Sequence, residues 1–284
     1  MTSKASNPLE RGDSAQPRRQ PIPAGAQIHL VALLPEPGEY LQTYVRALDH
    51  RIANLETIHP ASWAAMAEPR PCTFGEFRAG QWRWHFLYDP QGMSPEVSTA
   101  ARAAPLSGEV LEEVERHRAC ALVFLMTSPE EASPMDRMRA LAEAGWAWLD
   151  VGASVLAWPE GQTIMLGKTL LGLEPQDLEP EHSWVFVSNG LAHTEADAHW
   201  FRTVGMGQFG LPDLLARLPR DPMGEAELES LRLLFETLPP AMIRQRGVLP
   251  PGGTVKMGSR LWTAARPPDK IPRLASRFGF QYLA

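Results

Sequence analysis

Gly205-Met206-Gly207-Gln208-Phe209-Gly210 spells GxGxxG, the glycine pattern of a dinucleotide-binding turn. In that turn the glycines let the backbone approach a pyrophosphate, and a long helix directly behind points its N-terminus at the phosphates. The run does follow a predicted strand. Pro212 and Pro219, however, leave room for at most two turns of helix, and 225–238 reads as helix where a second strand ending in an acid is needed. The glycines are therefore read as turn residues that tolerate positive φ.

His193-Thr194-Glu195-Ala196-Asp197-Ala198-His199 is the second such stretch. Imidazole and carboxylate together suit zinc or manganese. On one extended strand His193, Glu195, Asp197 and His199 share a face, but alternate residues there are ~6.6–7 Å apart, too far apart to converge on ligand distances of ~2 Å. A hairpin turn at Glu195-Ala196-Asp197 is the arrangement that brings the two histidines closer. Turns also select polar residues for their own geometry, so the expectation is a solvated turn, with His193, Asp197 and His199 as the metal-ligand candidates.

The other common machinery is missing. There is no GxSxG elbow, HExxH helix or phosphate-binding P-loop. His29, His50, His59, His85, His117 and His182 are scattered, and Glu112-Glu113 and Glu130-Glu131 lie at helix starts or faces, where they favour the macrodipole or solubility. No catalytic residue and no cofactor is expected.

The elements around these stretches follow from periodicity. Gln27–Leu34 is a short apolar run closed by Pro35-Glu36-Pro37-Gly38, hence a buried strand. Tyr40, Leu41, Tyr44, Val45 and Leu48 recur at helical spacing, predicting a helix over 39–51. CTFGEF and QWRWHFLY flank Arg78-Ala79-Gly80 as a hairpin, with Trp82, Trp84, Phe86 and Tyr88 on one face. Residues 107–158 read helix, strand, helix, strand. The second helix starts at Ser133-Pro134-Met135-Asp136, a capping-box pattern with proline at the first helical position. HSWVFVSNGLAH and AHWFRTVGM are further strands, a helix over 224–238 ends at Pro239-Pro240, and 250–262 holds a glycine turn and a last short strand.

Composition sets the frame. The chain has 284 residues, 44% hydrophobic and 21% charged, enough to bury a sizeable core. The formal net charge of −6 argues against nucleic acid and anionic membranes as partners, which need a basic face; it leaves room for a basic protein partner. Cys72 and Cys120 form neither a CxxC pair nor a disulfide framework. Arg18-Arg19 precedes an apolar stretch, Ile28–Leu34, too short for a twin-arginine signal or a membrane span. The polar, proline-bearing residues 1–26 read as a disordered leader.

Arg202 to Asp213, RTVGMGQFGLPD, resembles the hallmark of an uncharacterised bacterial family, the domain of unknown function 4261. The residues that carry the resemblance are Arg202, Thr203, Gly205, Phe209, Gly210, Pro212 and Asp213. The resemblance implies no activity and no catalytic residues. On physical grounds Gly205, Gly207 and Gly210 permit a tight connection, Phe209 anchors it in the core, Pro212 and Asp213 suit the first turn of a short helix, and Arg202 braces the loop or binds an anion.

The expectation is thus an α+β protein with a mainly antiparallel or mixed sheet packed by helices. It is organised as a leader (1–26), one domain (27–266) and a C-terminal tail (267–284). The expected function is a non-catalytic cytoplasmic binding protein, an adaptor or an immunity-type inhibitor of a bacterial toxin. The alternative is a metal- or phosphate-dependent hydrolase using 193–210.

Overall fold

The computed structural model describes residues 28–58, 72–92, 97, 101, 106–220, 224–267, 274, 276 and 279–284. The leader lies outside the described residues. The fold is α+β, as the patterning predicts. Among the described residues the chain divides into two compact units at Leu178/Glu179. The reason is that each half closes its own hydrogen-bonded sheet around its own core.

The first unit holds β1 (Ile28–Leu34), α1 (Leu41–Arg51), β2 (Glu56–Ile58), β3 (Thr73–Ala79), β4 (Trp82–Asp89), α2 (Gly108–Arg116), β5 (Ala119–Thr127), α3 (Pro134–Asp150), β6 (Val155–Trp158) and β7 (Thr163–Leu166). Its strands run in the order β2-β3-β4-β5-β1-β6-β7, every pair antiparallel. α1 and α3 cover one face. There Tyr44 stacks on Trp148 at 3.9 Å and meets Phe77 and Phe86 edge-on. α2 lies on the other face, where Val114 joins Val31, Leu33, Cys120, Val155 and Ile164 in a buried cluster. β1 is central and covered on both faces, which is why it reads as an unbroken apolar run rather than an alternating one. α3 begins with the capping box its sequence announces: Asp136 N donates to Ser133 Oγ (3.1 Å) and Ser133 N to Asp136 Oδ2 (2.9 Å).

The second unit holds β8 (Ser188–Thr194), β9 (Ala198–Val204), β10 (Asp213–Pro219), α4 (Glu225–Gln245), β11 (Thr254–Met257), β12 (Arg260–Ala265) and β13 (Phe280–Leu283). The strand order is β11-β12-β13-β10-β9-β8, with β10 and β13 parallel and the other pairs antiparallel. Three expectations change here. The end of the supposed tail, 267–284, is β13, a strand in the interior of the sheet whose Leu283 is fully buried. Four residues give too little periodicity to announce a strand without the neighbours that pair with it. Pro180–Val185 is 3-10 helix, so the first of the two late strands starts only at Ser188.

The third change is in α4, which does not end at Pro239-Pro240 but runs through both prolines to Gln245. Two missing N–H groups and the restriction on the residue before each proline oppose this. The burial of Leu234, Leu238, Pro239, Pro240, Ala241 and Met242 on one packed helix outweighs it. Among the described residues no helix is long and apolar enough to cross a membrane.

Candidate functional site

The run Arg202 to Asp213 joins β9 to β10 through a single 3-10 turn, Met206–Phe209. No helix follows it. The sequence places Pro212 and Asp213 in a first helical turn, but Asp213 opens a strand, because 213–216 pair on one side with β13 and 215–219 on the other with β9. The nucleotide geometry, a helix N-terminus behind the glycines, is therefore not formed. Gly205 (φ 112°) and Gly210 (φ 72°) flank the turn in left-handed conformations, while Gly207 needs no positive φ. Phe209 is buried beside Phe186, with ring centroids 6.3 Å apart.

Asp213 is the polar centre of this connection. It is almost fully buried, and its carboxylate accepts from Thr203 Oγ1 (3.3 Å), Met206 N (3.1 Å) and Ser276 Oγ (2.9 Å). Burial raises its pKa, and these hydrogen bonds together with the charge of Arg202 offset part of the rise. Gln208 adds a second tie, donating to the Phe186 carbonyl at 2.9 Å. Arg202 is half-buried and, by strand alternation, faces away from its neighbour Thr203. The carboxylate is thus engaged in closing the loop.

His193, Asp197 and His199 do sit on the predicted hairpin, but they are not brought together. The register pairs His193 with Trp200 and Thr194 with His199, which puts the two imidazoles on opposite faces. Asp197 is held at 2.7 Å by Arg217 Nη2, and His199 Nδ1 lies 3.0 Å from Thr194 Oγ1. Among the described residues no group of three His, Cys, Asp or Glu side chains is placed to hold a metal ion.

The sheet of the first unit assembles a row that the scattered histidines did not reveal. Glu76 pairs with His85, His85 with Phe124, and Phe124 with His29, on four adjacent strands. Each histidine has its own carboxylate: His29 Nδ1 to Glu160 Oε1 at 2.6 Å, and His85 Nε2 to Glu76 Oε2 at 3.0 Å. Phe124 stacks on His29 at 5.2 Å and separates the two pairs, whose histidines stand about 10 Å apart, two strand spacings. Burial opposes the Glu76 charge, but Arg78, His85 and Arg83 hold its carboxyl below the usual range. A carboxylate-held imidazole is the supporting half of a hydrolytic triad. The row itself, Glu76, His85, Phe124 and His29, supplies no hydroxyl or thiol nucleophile.

A cleft of about 450 Å3 opens in the same unit between α2, the end of α3 and the segment 166–174. Its apolar wall is Trp146, Leu149, Leu166, Leu170 and Leu171. The indole of Trp146 is fixed by donating to the Leu173 carbonyl at 2.7 Å. One rim is Arg51, bound through two nitrogens to Asp150 (2.6 and 3.0 Å) and through the third to Glu174 (3.0 Å). Hydrogen bonding to Asp150 raises the Arg51 pKa further, and the guanidinium stays charged. The other rim pairs Lys168 with Glu109. Four carboxylates line the cleft, and each has a cation: Arg51 holds Asp150 and Glu174, Lys168 holds Glu109, and Arg116, beside the cleft, holds Glu113. The buried Ser154 hydroxyl on the cleft wall has no partner among the described residues. Sequence reading missed this site, because its residues come from several elements separated by up to 123 positions.

Compared with known proteins, the chain matches no family model, no curated protein and no solved structure.

Proposed function

We propose that the protein is a non-catalytic binding protein of the bacterial cytoplasm, an adaptor or immunity-type inhibitor, and that its partner docks in the cleft of the first unit. The observation that carries this reading is the cleft itself: an apolar wall framed by four carboxylates against two lining cations. Its volume lies in the range of ligand sites, roughly 300–1,000 Å3. The fitting occupant is a basic segment with apolar side chains. Arg or Lys heads would meet Glu109, Glu113 and Glu174, while the apolar side chains would pack on Leu170 and Leu171. Leu171 is 81% exposed, an apolar surface with no contact to lose until something covers it. The net charge of −6 favours the same partner through long-range steering. The resemblance of 202–213 to the domain of unknown function 4261 fits this reading and adds no activity to it. No observation favours the hydrolase alternative, since 193–210 brings no candidate ligands together.

The test is a calorimetric titration with an amidated peptide of alternating leucine and arginine, against its leucine–glutamate counterpart. The basic peptide should bind and weaken with salt. Leu171→Ser and Glu113→Gln should each reduce its affinity by about tenfold, the ~1.4 kcal/mol of one lost contact, with the melting temperature unchanged for Leu171→Ser. Equal binding of the acidic peptide, or none of either, rejects the cleft as the docking site.

A further inference from the structure

Two arginines on the sheet of the first unit, neither of which lines the cleft, form a site of the opposite charge. Arg78 on β3 and Arg83 on β4 stand directly opposite each other in the register. Like charges in that relation destabilise a strand pair. Here one carboxylate holds both: Glu76 Oε1 accepts from Arg78 Nε at 2.8 Å and lies 3.0 Å from Arg83 Nε. Its other oxygen, Oε2, lies 3.0 Å from His85 Nε2. The Glu76 side chain is 19% exposed, against 40% and 38% for the two arginines, so the carboxylate sits beneath the guanidinium groups it orients.

What this arrangement leaves over is donor capacity of one sign. A guanidinium presents five N–H donors in a rigid fork. Arg78 engages only its Nε–H, Arg83 only approaches the same oxygen, and the Nη groups of both have no acceptor among the described residues. Arg51 and Arg232 differ: each uses all three of its nitrogens on two carboxylates. Glu56 stands across from Arg78 on β2, yet it forms no ion pair with either arginine. Two permanent cations thus share one bonded carboxylate, and their unbonded forks lie side by side on a rigid hairpin.

We propose that Arg78 and Arg83 bind a phosphate group between their Nη forks. Phosphate oxygens accept from both forks at once, whereas a carboxylate is satisfied by one, so the pair selects the tetrahedral anion over the planar one. Glu76 is a positioning residue: it fixes both guanidinium groups from below, and His85 fixes its second oxygen. Phe74, which meets His85 edge-on at 5.1 Å, shares this sheet face and offers an apolar surface to the body of a phosphate ester. With a formal net charge of −6 on the chain, the local pair suits a single phosphate rather than a nucleic-acid backbone.

The phosphate is either free inorganic phosphate or part of an ester, and the probes separate these sources. Arginine Nε–Hε NMR signals are followed on the full chain, at constant ionic strength, during titration with inorganic phosphate, phenyl phosphate and benzoate. Both phosphates should shift the Arg78 and Arg83 signals saturably, and benzoate should not. Tighter binding of phenyl phosphate names an ester as the source, and equal binding names free phosphate. Arg78→Lys and Arg83→Lys keep the charge and remove a fork; each should weaken phosphate by about tenfold, read from the remaining arginine, with the melting temperature unchanged. Arg232→Lys, in the second unit, should bind like the parent. The proposal is overturned if neither phosphate shifts the two signals saturably, if benzoate binds as tightly as phenyl phosphate, or if both lysine variants bind phosphate like the parent.

Discussion

Thr203 Oγ1 gives its proton to Asp213 Oδ1 at 3.3 Å while accepting the Leu214 amide at 2.9 Å, so one hydroxyl ties the end of β9 to the start of β10. Both residues are buried, and the same carboxylate also takes the Met206 amide inside the turn. The polar end of the RTVGMGQFGLPD run is therefore a closed hydrogen-bond set rather than an open site.

Thr203→Val keeps the shape and removes the hydroxyl. It leaves the Leu214 N–H unpaired and strips one donor from the Asp213 carboxylate, at a cost of ~1–3 kcal/mol. Thr203→Ser should retain most of the stability. Urea denaturation of the three proteins checks the order; a Val variant as stable as the parent would remove Asp213 from the scaffold.

The glycines of the turn should separate by backbone conformation alone. Gly205→Ala and Gly210→Ala force a side chain into the left-handed region, ~1–2 kcal/mol each, because these two have positive φ. Gly207→Ala should be milder, since its φ is not positive. Phe209→Ala should exceed all three at ~3–5 kcal/mol, because a buried aromatic leaves a cavity. Thermal or denaturant midpoints measured in one buffer decide the ranking.

Glu143 on α3 provides the pH test. Burial pushes its carboxyl up to about 7, and the nearby Arg51 offsets only part of the shift. A carboxyl with a folded pKa above its unfolded value holds its proton more tightly when folded. Its contribution is fully present below pH ~4.5 and is lost as pH rises towards 7. The shift caps the effect at ~3 kcal/mol, and partial solvent screening reduces it to ~1–2 kcal/mol. Glu143→Gln should match the parent near pH 4, exceed it by that amount at pH 8, and show a flatter stability curve in between. A parent curve with the same slope as the variant would place the titration elsewhere.

Much of the first unit is readable from local pattern. The Ser133–Asp136 capping box, the hairpin around Gly80 and the apolar strand at 28–34 each rest on contacts within a few residues or on burial that composition reports directly. The candidate sites were less legible. His29 and His85 align only because both pair with Phe124, a residue about forty positions from one and nearly a hundred from the other. The cleft draws Arg51 against Asp150 and Lys168 against Glu109, pairings that no periodicity encodes.

By itself the amino-acid order determined the α+β class, most helix and strand positions in residues 28–158, the absence of a familiar catalytic motif and the glycine turn at 205–210. Those are local matters: side-chain alternation, capping, and the φ that glycine allows. Tertiary structure decided the rest. It split the chain into two units, drew residues 280–283 into the sheet, put a strand where Pro212-Asp213 suggested a helix, and carried α4 through Pro239-Pro240. In each case burial or strand pairing summed over several distant residues exceeds a local preference of a few kcal/mol. That sum is fixed only when the distant partners are in place.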